Sequence, residues 1–165
     1  MLANVDFAKL NLMDALDLAI LIEIEALERY QLFAKQLGAG DAGNVFSTMA
    51  ESEAKHAKDL SERRESLFGN APVNVSQSDI YDVEAPDVGS PRWNMSELNA
   101  LNLALNSEEK AFTFYDQALP HVENGEVRQL FHDLRAEEVE HVELVKSIIA
   151  KLPPSAAWDL EDLDE

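Results

Sequence analysis

Shifted by 85 residues, the chain lies on itself. Ala15-Leu-Asp-Leu-Ala19 falls on Ala100-Leu-Asn-Leu-Ala104, and the same offset carries Glu23 to Glu108, Tyr30 to Tyr115 and Gly40 to Gly125. It continues without a gap through Phe46 on Phe131, Glu53 on Glu138 and His56 on His141. Such self-similarity implies two equivalent units that bury their apolar faces against each other. Two helical hairpins related by a pseudo-twofold axis satisfy it.

The punctuation of the chain supports hairpins. A first helix is expected from about Asn11, an N-cap with Asp14 three residues on, to Leu37, where Gly38–Gly40 stops it. A second runs from about Asp41 to Phe68 and ends at Gly69. A third opens at Asn94-Met-Ser-Glu97, a start resembling a capping box, and closes before Pro120. The fourth runs from about Asn124 to Leu152, where Pro153-Pro154 terminates it.

Residues 69–93 hold Pro72, Pro86 and Pro91, have little periodicity, and read as a crossover with a short strand around Val73–Val75. Twenty-five residues reach roughly 80 Å when extended, and a helix of 27 residues is only about 40 Å long. The crossover can therefore return along the bundle and start the third helix parallel to the second. The expected fold is an all-α four-helix bundle over residues 1–154. An acidic tail, 155–165, follows and serves either as a solubilising end or as a docking segment.

Composition narrows the function classes. At 165 residues the length fits one domain with its own core. The chain has no cysteine, which excludes disulfides, zinc ribbons, iron–sulfur clusters and thiol nucleophiles. With 32 acids against 13 bases the formal charge is −19, which argues against nucleic acid and anionic membrane as partners. The apolar run Leu18–Leu27 is broken by Glu23 and Glu25, so no membrane span is expected. Met1–Asp14 does not read as a signal peptide, and a cytoplasmic location is the default expectation.

The chemistry lies in the repeated positions. Glu53-Ala-Lys-His56 and Glu138-Val-Glu-His141 each place a carboxylate and an imidazole three residues apart on one helix face. Oxygen and nitrogen donors so placed suit iron, manganese or zinc. Glu23 and Glu108 each lie 30 residues upstream of the matching glutamate, since 53 − 23 and 138 − 108 both give 30. About Gly40, Glu23 is roughly 25 Å along one helix and Glu53 roughly 20 Å along the next. An antiparallel hairpin thus brings them to nearly one level. Together the hairpins offer four carboxylates and two imidazoles to one point, and two divalent cations would cancel the four charges. Glu23 also stands in a helix apolar nearly all round, where an unpaired carboxylate is costly.

Tyr30 and Tyr115, two of the three tyrosines, lie two turns beyond Glu23 and Glu108 on the same faces. Their hydroxyls are placed to reach carboxylates of the opposite hairpin. His121 and His132 lack the pattern and read as surface or helix-end residues. Glu25, Glu28, Glu109, Glu137, Glu140 and Glu143 read as solvated. The first helix, apolar over more than one face, makes a homodimer a reasonable expectation.

With these residues in place, the chain resembles the ferritin-like superfamily, and within it the rubrerythrin-type di-iron proteins, over roughly Asn11 to Lys151. The ligand set is the known one for ferritin-like di-iron carboxylate proteins; its assignment to these positions is what is inferred here. The resemblance implies that Glu53 and Glu138 bridge two iron ions, that Glu23 and Glu108 are terminal ligands, and that His56 and His141 bind one iron each. Rubrerythrins proper add a rubredoxin domain with four cysteines; without cysteine, electrons must come from an external donor. They also carry an extra glutamate a turn after the third-helix ligand. Here that region reads Lys110-Ala-Phe112, so a symmetric site is expected.

The function so implied is that of a di-iron oxidoreductase, which oxidises two Fe(II) with O2 or H2O2 as ferroxidase or peroxide scavenger. The residues leave two other readings open: a metal-binding or storage protein without turnover, and a structural bundle with vestigial ligands.

Overall fold

Asn11 begins the first long helix, as its side chain accepts the backbone N–H of Asp14 at 2.8 Å. In the computed structural model, which describes residues 5–80 and 95–153 (for 41 and 42, the backbone only), four helices carry the chain. They are α1 (Leu12–Leu37), α2 (Asp41–Phe68), α3 (Glu97–Ala118) and α4 (Gly125–Ala150). Single 3-10 turns lie at Phe7–Lys9, Gln77–Asp79 and Leu119–His121. Among the described residues there is no strand. The stretch expected to be one leaves Val73 60% exposed, with no neighbouring strand to pair its backbone. The expected start of the third helix also moves: Ser96 is the cap, accepting from the Asn99 N–H at 3.1 Å. Asn94 lies outside the described residues, as do the middle of the crossover and the acidic tail.

The first hairpin turns tightly. Gly38 ends α1 with φ +72°, a conformation that glycine adopts without steric cost. A Cβ on Gly43, in the first turn of α2, would fall 2.0 Å from the Gly38 carbonyl oxygen. Only a residue without a side chain lets the two helices begin that close. The second hairpin turns more widely, through the Leu119–His121 turn to Asn124, whose side chain caps α4 at the N–H groups of Glu126 and Val127.

Two apolar layers reveal the helix directions. One joins Leu12–Ile22 of α1 to Phe114–Leu119 and to Val127–Leu134 of α4, with Leu60 and Phe68 of α2 against it. Phe7 closes its end with edge contacts to Phe114 and Phe131 at 5.8 and 6.2 Å between ring centres, and Ile80 is fully buried in the same layer. The other joins Ala26–Phe33, Phe46–Ala50, Ala100–Ala104 and Val145. The end of α2 therefore lies at one end of the bundle, and the start of α3 lies at the other. The two helices run parallel, as the long crossover requires. Each large apolar side chain buried here contributes about 1.5–3 kcal/mol. None of the described helices is long and apolar enough to cross a membrane.

Candidate metal centre

Between the two apolar layers lie the acids. Glu23 and Glu108 are fully buried, and Glu53 and Glu138 are 1% exposed. Their helices bring them to one level because each hairpin folds back on itself about its turn, and the pseudo-twofold places one set opposite the other. His141 is buried and His56 nearly so, with their rings stacked at 5.0 Å and 8° from parallel. All six residues expected from sequence therefore converge.

The imidazole Nδ1 atoms face the carboxylates. His56 Nδ1 is 3.7 Å from Glu23 Oε2. His141 Nδ1 is 3.1 Å from Glu108 Oε2, 3.6 Å from Glu138 Oε2 and 3.8 Å from Glu53 Oε1. Two triads could hold an ion, Glu23–Glu53–His56 and Glu53–Glu108–His141, each offering ligand atoms within 4.8 Å of one another. Glu53 belongs to both. A carboxylate has two oxygens, so Glu53 is placed to join two ions. Glu138 reaches the second triad through His141.

The electrostatics are those of crowded, dry carboxyls. Burial pushes Glu53 well above the ordinary carboxylate range, and a proton shared with Glu23 pushes the same way. Burial, then the charge of Glu108, does so for Glu138. Glu23 is raised by burial, partly offset by its hydrogen bond with Glu53, and raised further by the charge of Glu137. Burial would raise Glu108 too, but hydrogen bonds from His141, Glu138 and Tyr30 outweigh it and hold the group low. For His141, burial lowers the pKa, yet the hydrogen bond to Glu108 and the charges of Glu108, Glu53 and Glu23 push it up to about 9. Apart from the proton shared by Glu23 and Glu53, no side-chain donor reaches either oxygen of these two groups, nor Glu138 Oε2. Buried oxygens without donors are costly, and a cation removes that cost. The donor set, carboxylate and imidazole, fits divalent iron, manganese or zinc, and four carboxylates balance two such ions.

Tyr30 reaches across to the other hairpin, its hydroxyl donating to Glu108 Oε1 at 3.1 Å. Tyr115 is fully buried among Phe114 and Phe131. His121 and His132 are exposed, away from the cluster. Glu25 is half-buried in an ion pair with Arg29 at 2.6 Å.

Two neighbours of the site escape a reading by sequence pattern. Glu137, read as solvated, brings Oε2 to 3.9 Å from His56 Nδ1. Ser52 Oγ lies 3.5 Å from His141 Nε2. The available signal is positional: each stands one residue before the glutamate of a Glu-x-x-His motif, at matched places of the repeat. The site is thus less symmetric than expected, with a carboxylate beside one imidazole and a hydroxyl beside the other.

A family model described as Rubrerythrin matches residues 14–149. Among solved structures, the crystal structure of an uncharacterized conserved protein from Magnetospirillum magnetotacticum MS-1 superposes with a TM-score of 0.68 at 30% identity. The match covers 87% of this chain and 97% of that one. No curated protein matches the chain.

Proposed function

The chain belongs to the rubrerythrin family, and from that premise we propose that it is a di-iron oxidoreductase, binding two Fe(II) in the core and oxidising them with O2 or H2O2. The observation that carries this reading is Glu53, one buried carboxylate common to two metal-competent triads. In it, Glu23 and His56 would hold one ion and Glu108 and His141 the other, with Glu53 and Glu138 available as carboxylates to both. Bound iron would supply the one-electron chemistry that carboxylates and imidazoles lack.

The chain's own residues do the rest. Carboxylates can shift between one-oxygen and two-oxygen contacts as the charge they face changes, which suits a pair of ions that changes oxidation state. Tyr30 fixes one oxygen of Glu108, leaving the other to face His141 Nδ1. Layers of Leu16, Ile22, Phe46, Leu101 and Phe131 on either side keep bulk water from the acids. Glu53, Glu138 and His141, all raised in pKa, give up protons when cations arrive.

Anaerobic loading with two equivalents of Fe(II), followed by rapid mixing with O2 or with H2O2, tests the reading. Loss of ferrous iron is followed with a chelator against free Fe(II). Much faster loss with H2O2 marks a peroxide scavenger. Fast loss with O2 followed by iron release or accumulation marks a ferroxidase. Iron that fails to bind, or reacts no faster than free iron, overturns the enzyme reading.

A further inference from the structure

The two imidazoles differ in what stands beside them. The helix positions are equivalent, since Ser52 and Glu137 are related by the same 85-residue offset as the ligands (137 − 52). Each reaches across to the other hairpin's histidine, Ser52 on α2 to His141 and Glu137 on α4 to His56. The chemistry at the two places differs in charge, a neutral hydroxyl at one and a carboxylate at the other. A hydroxyl at His141 Nε2 meets the edge of the ring turned away from the carboxylates. The Glu137 carboxylate meets His56 at Nδ1, the nitrogen that also faces Glu23 Oε2.

Burial separates the two places further. His56 Nδ1 and both oxygens of Glu23 are buried, and apart from the proton Glu23 shares with Glu53 they have no hydrogen-bond partner. Glu137 is 41% exposed at its side chain, so it spans from solvent to that buried group. On the other side, Glu108 is already engaged by Tyr30 and His141. Other acids of α4, Glu140 and Glu143, stand exposed on its surface, whereas Glu137 is half-buried against the cluster.

We propose that Glu137 is the outer carboxylate of the Glu23–Glu53–His56 position, taking divalent cations from solvent and remaining within reach of the bound ion as an added ligand. The two metal positions are then inequivalent: the His56 position fills first and through Glu137, and the His141 position fills second. A single acid at the solvent boundary of a buried anionic cluster lowers the barrier for a cation losing its water, because it replaces a water oxygen with a charged one before the ion is fully enclosed. The inference rests on the two-metal reading of the site.

The test uses Co(II), whose visible bands report binding without any turnover. Stopped-flow mixing and equilibrium titration compare the full-length chain with Glu137→Gln, which keeps shape and removes charge, and with Glu140→Gln as a control for general surface charge. Glu137→Gln is expected to slow uptake of the first ion by about tenfold and to weaken one of the two positions by a similar factor. Glu140→Gln is expected to leave both unchanged. If the unsubstituted chain binds two ions and Glu137→Gln matches it in rate and affinity, Glu137 is only a surface acid and the inference falls alone. An equal loss in Glu140→Gln assigns the effect to net charge and also overturns it. If the unsubstituted chain binds no Co(II), the two-metal reading falls and takes the inference with it.

Discussion

Asp17 and Asn102 occupy the same place in the repeat, the middle of Ala15-Leu-Asp-Leu-Ala19 and Ala100-Leu-Asn-Leu-Ala104, yet one is buried and the other is on the surface. Asp17 accepts two bonds from Arg64, at 2.8 Å from Nε and 3.1 Å from Nη2. The same guanidinium donates to the carbonyls of Gly69 and Ala71, each at 2.7 Å. It therefore ties α1 to the end of α2 and to the first residues of the crossover. The counterpart of Arg64 in the second hairpin is Ile149, and no such tie is available there. At the middle of the bundle the halves agree instead: Leu16 with Leu101, Phe46 with Phe131 and Glu23 with Glu108 are all fully buried. Pseudo-symmetry of burial holds for these core residues, because each meets its own counterpart's surroundings, although Ser52 and Glu137 break it beside the two imidazoles. It fails at the ends, because one hairpin meets a crossover and the other does not.

The largest effect should come from breaking the shared middle. Glu53→Ala is expected to abolish two-metal binding, since both triads use Glu53, whereas Glu23→Ala should leave the second position. Metal content after anaerobic loading and desalting reads the difference. Two tightly held ions in Glu53→Ala would defeat the ligand assignment.

Next comes the end at which the halves differ. Asp17→Ala removes one partner of a buried ion pair and should cost about 3 kcal/mol of stability. Asn102→Ala, at the matching exposed place, should change stability by less than about 0.5 kcal/mol. Denaturant unfolding of the metal-free chain measures both, and equal costs would erase the distinction between the ends.

A pH series sharpens the account of the middle. His141 is protonated more readily in the fold than its ordinary value of 6.5 allows, so its contribution is fully present below that value. It is lost as pH rises toward about 9. Glu53 and Glu138 act in the same direction, their contribution fading as pH rises above 4.5 through their raised values. The metal-free chain should melt at progressively lower temperature between pH 6.5 and 9. Zinc-loaded chain, in which cations replace those protons, should not show this fall. A metal-free melting temperature that rises over the same interval contradicts the sign.

The smallest effect separates the two positions by their hydrogen bonds. Tyr30→Phe removes the donor on Glu108 and should weaken the His141 position by about tenfold, with the His56 position unchanged. A two-site Co(II) titration resolves the pair, and a loss at the His56 position would show that Tyr30 does not act through Glu108.

Much of this was legible without coordinates. The Asn11 cap, Gly38, Gly69, Pro120 and the Asn124 cap mark helix ends because each acts through its own backbone or side chain on the nearest turn. The six candidate ligands follow from spacing alone: three residues put two side chains on one helix face, and 30 residues about a glycine turn put two more at the same level. Those relations are local or are carried by rigid helices. That Val73–Val75 forms no strand is not legible in the sequence, since a strand needs a partner and no short window shows whether one exists.

What the tertiary structure alone decided depends on which surfaces meet. That Asp17 finds Arg64, 47 residues away, is settled by the close packing of α1 on α2 and by the carbonyls of Gly69 and Ala71 that complete the guanidinium's bonds. A buried aspartate in an apolar run announces that a partner exists, without saying which. That Glu53 serves both triads, and that Ser52 and Glu137 each come to stand beside the opposite hairpin's imidazole, comes from helix rotation and from how deep each position lies. Repeat spacing relates equivalent positions, and it cannot tell which of two matched residues meets solvent. Only the packing of one hairpin on the other does that.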